Sequence, residues 1–175
     1  MLKIITLIIA LLVVGVLFYA STRPNSFRIE RSITIAAPAD RIFPLVNDFH
    51  QWEAWSPWEK VDPALKRTYS GSGAGKGAAY GWEGNKEVGS GTMEITESIP
   101  HSRVVINLHF LKPFEARNTV EFVLQPQVGG TLVTQAMYGP SPLMSKIMGL
   151  VFSMDKMVGS KYEEGLASIK GLAEK

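Results

Sequence analysis

The chain has 175 residues, no cysteine, and a formal net charge of +2 with no run of like charges. This excludes the clustered basic face that nucleic-acid binding needs, and with it disulfides, a lipid-modified cysteine and thiolate metal sites. Four Trp, eight Phe, five Tyr and seven Met supply ample apolar material for a core or a cavity wall.

The first predicted element is a helix. Ile4 to Ala20 carries no charge, and Thr6 is its one clearly polar side chain. At the helical rise this run spans about 25 Å, slightly short of a ~30 Å hydrocarbon core; Leu2 and snorkelling from Lys3 and Arg23 make up the difference. Only a helix satisfies this backbone in lipid. A cleaved signal peptide competes with a retained anchor, but cleavage wants small residues at −3 and −1. A cut after Ala20 puts Phe18 at −3, a cut after Ser21 puts Tyr19 there, and the small pair Ala20 and Thr22 leaves Arg23-Pro24 at the new terminus. The expected organisation is therefore an anchor over 1–22 that meets the membrane through residues 4–20, a linker over 23–26, and one domain over 27–175. Lys3 precedes the span while Arg23, Arg28 and Arg31 follow it, so the positive-inside rule gives no clean orientation. The simplest insertion leaves the short tail inside and the domain extracytoplasmic.

Residues 27–35 alternate, with Phe27, Ile29, Arg31, Ile33 and Ile35 on one face, which predicts a half-buried strand. Pro38-Ala39-Asp40 opens a short helix whose apolar positions are Ile42, Phe43, Leu45 and Val46, kinked or ended by Pro44. An aromatic loop follows, with Phe49, Trp52, Trp55 and Trp58 within ten residues. A strand at 66–69 leads into GSGAGKG (Gly71 to Gly77), read as a flexible turn. Further strands are predicted near 78–83, 91–99, 103–110, 117–125 and 131–138, separated by turn residues, as in an antiparallel meander. A long helix is predicted from about Ser141 to Ala173. Its stripe is Ile147, Val151, Met154, Val158, Tyr162, Leu166 and Ile169; Gly149, Gly159 and Gly165 mark weak points or close packing.

Motifs of familiar chemistries fail on spacing. GSGAGKG has neither the Walker spacing nor G-x-G-x-x-G. His50, His101 and His109 lack zinc-ligand spacing, and no metal or cofactor is expected. Val88 stands where a nucleophile elbow before Ser90 would need glycine. Glu94 and Glu97, three apart on a strand, are expected on opposite faces, against a catalytic pair.

The line RSITIAAPADRIFPLVNDFHQWEAWSPW, followed by YGWEGN, VGSGTMEI, FLKPF, VEFVLQPQVGGTLVTQAMYG and FSMDKMVGSKYEEGLASIK, resembles the START-like, polyketide cyclase/dehydrase-related (SRPBCC) superfamily and its membrane-anchored bacterial branch. The resemblance covers nearly everything after Phe27. One departure is Gln135, where that branch tends to carry tryptophan, which makes this part of the pocket more polar. The resemblance implies an α+β helix-grip fold of the START or Bet v 1 kind. A curved antiparallel sheet wraps a long C-terminal helix, with a cavity for a hydrophobic ligand between them and no universal catalytic residue.

Strand alternation independently places Ile106, Leu108 and Phe110 with Val120, Phe122 and Leu124, Val133, Gln135 and Met137, Met93 and Ile95, and Tyr80 and Trp82 on one inward face. The expected ligand-binding side chains are Trp52, Trp55, Tyr80, Trp82, Met93, Ile106, Leu108, Phe110, Phe122, Gln135, Met137 and Met154, lining a pocket for a lipid-like small molecule. Two alternatives stand beside this reading. One is a cyclase/dehydratase-like enzyme using His50, Tyr80, Glu97 or Arg117 as an inward titratable group. The other is a non-catalytic envelope or stress-response protein that docks an unknown protein partner through exposed tryptophans of 52–58.

Overall fold

The apolar N-terminal run forms helix α1 (Leu2–Ser21) in a computed structural model that describes residues 2–175. Met1, the first residue of the expected anchor, lies outside the described residues. α1 is long and apolar enough to cross a bilayer, and the rest of the chain leaves almost all of it uncovered. The chain then enters β1 (Ser26–Ile35) and α2 (Ala39–Asn47), whose residues Ile42, Phe43 and Val46 are buried and which carries Pro44 in its second half. The aromatic segment winds through single tight turns around α3 (Trp52–Trp55).

Six strands follow: β2 (Lys66–Gly71), β3 (Ala78–Glu83), β4 (Ser90–Ile99), β5 (Arg103–Lys112), β6 (Ala116–Gln127) and β7 (Gly130–Pro140). All neighbours pair antiparallel, and β1 closes against β7, giving the order β1-β7-β6-β5-β4-β3-β2. The core lies between the inner face of this sheet and the helices, as period-two burial requires.

The C-terminal helix is not continuous. The chain forms α4 (Leu143–Met148), an irregular stretch at 149–153, and then α5 (Met154–Ala173). Apolar periodicity runs through the break, but Ser153 caps α5 by accepting from the Lys156 N–H, and Asp155 occupies its first turn. Both features favour a new helix start over continuation. The stripe divides accordingly: Tyr162, Leu166 and Ile169 are buried, whereas Val151 and Met154 are exposed. β4 departs from simple alternation as well. Its register skips Thr96 between Ile95 and Glu97, a bulge that brings Glu97 to the outer face shared by Glu94. The expectation that these two carboxylates face opposite ways is thereby corrected.

α5 is held to β1 by charge at one end and by backbone at the other. Arg31 leaves the inner face of β1 to pair with Asp155 at 3.0 Å and Glu163 at 2.6 Å. Its guanidinium passes directly over Gly159, where a Cβ would overlap it. At the far end the Ala36 N–H donates to Glu174 at 2.6 Å, and the Lys170 ammonium donates to the Thr34 carbonyl. The hydrogen bond from Arg31 holds Asp155 below its ordinary 3.8, and the bond from Ala36 holds Glu174 below its ordinary 4.5. Folded values lower than unfolded ones mean that the unfolded chain binds more protons in acid. This stabilisation is therefore complete above the ordinary carboxylate range and is lost as pH falls through the folded values. The thermal midpoint is expected to drop below about pH 4. An Asp155→Asn/Glu174→Gln variant is expected to show a flatter acid limb, and superimposable limbs would show that these contacts carry no pH-dependent stability.

Candidate ligand-binding cavity

The inner face of the sheet presents Tyr80 and Trp82 from β3, Met93 from β4, Leu108 and Phe110 from β5, Val120 from β6 and Gln135 from β7 to one space beneath α5. Lys161 and Tyr162 of α5 form its roof, and Trp52, Trp55, Pro57, Trp58 and Glu59 its side wall. The space is a cavity of about 90 Å³. That is room for about six water-sized groups, so it suits a ring or a short hydrocarbon segment. It is small because aromatic rings occupy much of the volume under α5. Trp52 lies 4.9 Å from Trp55, and both meet Phe122 edge-on at 6.0 Å.

Glycine shapes the floor. Trp82 lies across Gly91 so closely that a Cβ at 91 would run into its ring and the His109 carbonyl. The indole N–H reaches the Val88 carbonyl at 3.3 Å, and Phe110 meets the ring edge-on at 5.7 Å. A bare backbone at 91 is what lets the largest side chain of β3 lie flat beneath the cavity.

Eight of the twelve expected ligand-binding residues line this space: Trp52, Trp55, Tyr80, Trp82, Met93, Leu108, Phe110 and Gln135. Ile106, Phe122 and Met137 face inward but are packed in the core away from it, and Met154 stands exposed at the start of α5 because the helix begins there. Reasoning from sequence missed Glu59. Its side chain is only 6% exposed, and it accepts from the Tyr80 hydroxyl at 2.6 Å and from Arg67 Nε at 2.6 Å. Burial and this hydrogen bond push the Tyr80 phenol far above its usual value, while Glu59 raises the Arg67 guanidinium. Both Glu59 oxygens are thus committed, and Tyr80 holds its proton tightly.

That arrangement bears on acid–base chemistry. Of the four titratable groups considered from sequence, Tyr80 alone faces the cavity. His50 is largely exposed, bonded to Asp48 and stacked on Tyr69. Glu97 pairs with Arg103 on the outer face, and Arg117 is solvent-exposed beside Glu115. The tryptophan segment divides too: Trp52 and Trp55 are buried, with indole N–H groups bonded to the Val46 and Leu45 carbonyls, and only Trp58 is exposed.

Gln135 is the polar exception on the apolar floor. It is 4% exposed, and its Oε1 is a buried side-chain polar atom with no hydrogen-bond partner among the described residues. A buried acceptor left unmet costs about 1–3 kcal/mol, so a bound donor that met it would gain correspondingly.

No protein of curated function matches this sequence. Among solved structures the chain is similar to protein CV1439 from Chromobacterium violaceum (14% identity, TM-score 0.60, covering 87% of this chain and 99% of that one). It is also similar to the protein of unknown function SA2116 from Staphylococcus aureus (10% identity, TM-score 0.62, 85% and 94%). Ara h 8.0201 shows the same likeness (14% identity, TM-score 0.57, 85% and 97%). At these identities the likeness establishes the fold, a Bet v 1-like α+β architecture. A family model described as polyketide cyclase / dehydrase and lipid transport matches residues 26–174, the whole of the sheet and α5. With its fold and its sequence pattern in agreement, the chain belongs to the polyketide cyclase / dehydrase and lipid transport family.

Proposed function

We propose that this chain is a membrane-tethered binding protein for a small hydrophobic or amphipathic molecule carrying a hydrogen-bond donor. The observation that carries the reading is the apolar cavity between sheet and α5, with the unpartnered Gln135 Oε1 in its wall. An apolar body with one donor, such as a hydroxyl, would bury its surface against Trp82, Met93, Leu108 and Phe110 and give Gln135 its missing partner. The family description points toward hydrophobic ligands. Among the described residues, the carboxylate at the cavity, Glu59, is committed to Tyr80 and Arg67, which favours binding over catalysis. The tether is α1, whose apolar surface the domain leaves almost wholly uncovered.

The test uses residues 23–175, which contain the family-matched unit, and calorimetric titration with a cresol and a xylene of the same shape. Both are expected to bind saturably, with the cresol favoured about fivefold, the equivalent of one net hydrogen bond of about 1 kcal/mol. Gln135→Leu is expected to erase that preference. Val120→Phe, which fills the cavity, is expected to abolish uptake of both. Wild-type binding of neither compound, or undiminished binding by Val120→Phe, would sink the reading.

A further inference from the structure

We propose that the end of the domain next to α1 is itself a lipid-contacting surface, with residues 143–157 and the β5–β6 turn seated in the bilayer that α1 enters. This rests on the membrane reading of α1 and adds a second embedded element to it.

Exposed apolar side chains are distributed unevenly. Thirteen large ones are exposed outside α1 among the described residues, and ten of these lie in 111–114 and 143–157. The strand register puts the β5–β6 turn and the entry to α4 at one end of the sheet. Ser26, where β1 begins, pairs with Pro140, where β7 ends, and Phe110 pairs with Ala116 across the turn that carries Leu111 and Phe114. The exit from α1, the β5–β6 turn and the start of α4 therefore share one edge of the domain. Phe114 is 66% exposed and Val151 77% exposed, values that a water-facing surface gives no reason to maintain in two separate segments.

Packing fixes the depth of this patch. Leu150 closes a groove against Ile8, Leu11, Leu12, Gly15, Val16 and Tyr19 of α1. A residue packed beside the middle of a spanning helix lies at the depth of that helix, so a bilayer that accepts α1 accepts Leu150 with it. The tether leaves no slack. Residues 22–25 bridge at most about 14 Å even when extended. Within that linker, the Asn25 carbonyl accepts from the Ser141 N–H and its side chain accepts from the Lys146 ammonium. Lys146 is the one charged residue between Leu143 and Met154, and its long stem reaches back toward the linker, as interfacial lysines do. Arg23 lies 4.9 Å over the Tyr19 ring and donates to its hydroxyl, an aromatic–cation pair suited to the headgroup level. The cavity lies toward the same end: Trp82, Gly91 and Phe110 sit on one rung, one residue before Leu111.

The absence of cysteine allows a direct test in the full chain. Single variants Leu12→Cys, Phe114→Cys, Val151→Cys and Val128→Cys carry an environment-sensitive nitrobenzoxadiazole label. They are reconstituted in vesicles of phosphatidylcholine and phosphatidylglycerol with or without nitroxide-bearing lipid. Val128, fully exposed at the opposite end of the sheet, reports on water. Labels at 114 and 151 are expected to emit to the blue and to lose most of their emission to nitroxide lipid, while the label at 128 keeps its own. Quenching at 12 with 114 or 151 behaving like 128 overturns the inference and leaves the anchor standing. No quenching at 12 overturns the anchor and this inference together. Neither outcome touches the cavity reading, which the cresol titration tests separately.

Discussion

Replacing Trp55 with alanine is expected to lower the free energy of unfolding by about 3–5 kcal/mol, the range for deleting a large buried ring. Trp55 is almost completely buried and connects three parts of the fold. Its N–H donates to the Leu45 carbonyl of α2 at 2.7 Å, its ring packs against Trp52 and against Phe122 of β6, and Gly165 of α5 comes directly against it. Truncation opens a void that rigid strands and a helix cannot close together. Trp55→Phe retains most of the apolar contact and loses the N–H bond, so its expected cost is about 1–2 kcal/mol. Urea unfolding of the two variants measures both figures. An alanine variant within about 0.5 kcal/mol of wild type, the usual surface value, would show that the ring is not the keystone described above.

Glu59→Ala is the second large effect, expected at about 2–4 kcal/mol. The cost comes from what the carboxylate leaves behind: a buried Tyr80 hydroxyl and an Arg67 guanidinium without their common acceptor. The figure sits below that for a wholly buried pair because Arg67 reaches solvent through part of its surface. Glu59→Gln keeps an acceptor for Tyr80 and is expected to lose about half as much. The decisive measurement is a cycle with Tyr80→Phe. The two changes share one hydrogen bond, so their effects are expected to fall short of additive by more than about 0.5 kcal/mol, and strict additivity would mean that the 2.6 Å contact contributes nothing.

The sheet was legible from sequence because period-two alternation is a local property. Ile106, Leu108 and Phe110 announce their face without reference to any other strand. Features that depend on neighbours were not. The bulge at Thr96 exists only in the pairing of β4 with β5, so Glu97 could not be placed from spacing alone. The break between α4 and α5 was hidden because apolar residues continue through it, although Ser153 with Asp155 was a readable start signal. Those same residues then proved exposed: periodicity reports which side chains are apolar, not what covers them. Gln135 was visible as the one polar member of an inward set. Glu59 was not, since a single carboxylate among tryptophans follows no pattern and acquires its partners only when β2 and β3 fold beneath it. Cavity size is a small difference between enclosed and occupied volume, and strand spacing does not report how far Trp52 and Trp55 fill it.

On the proposed tethered reading, the bonds that Asn25 makes to Ser141 and Lys146 would limit what kind of carrier this chain could be. Were α1 held in one bilayer, so short and doubly fastened a leash would allow lateral drift over that sheet of lipid and little else. Cargo would be collected from, and returned to, the leaflet on which the domain rides; ferrying it across an aqueous gap to a second membrane would require a separate, unattached courier.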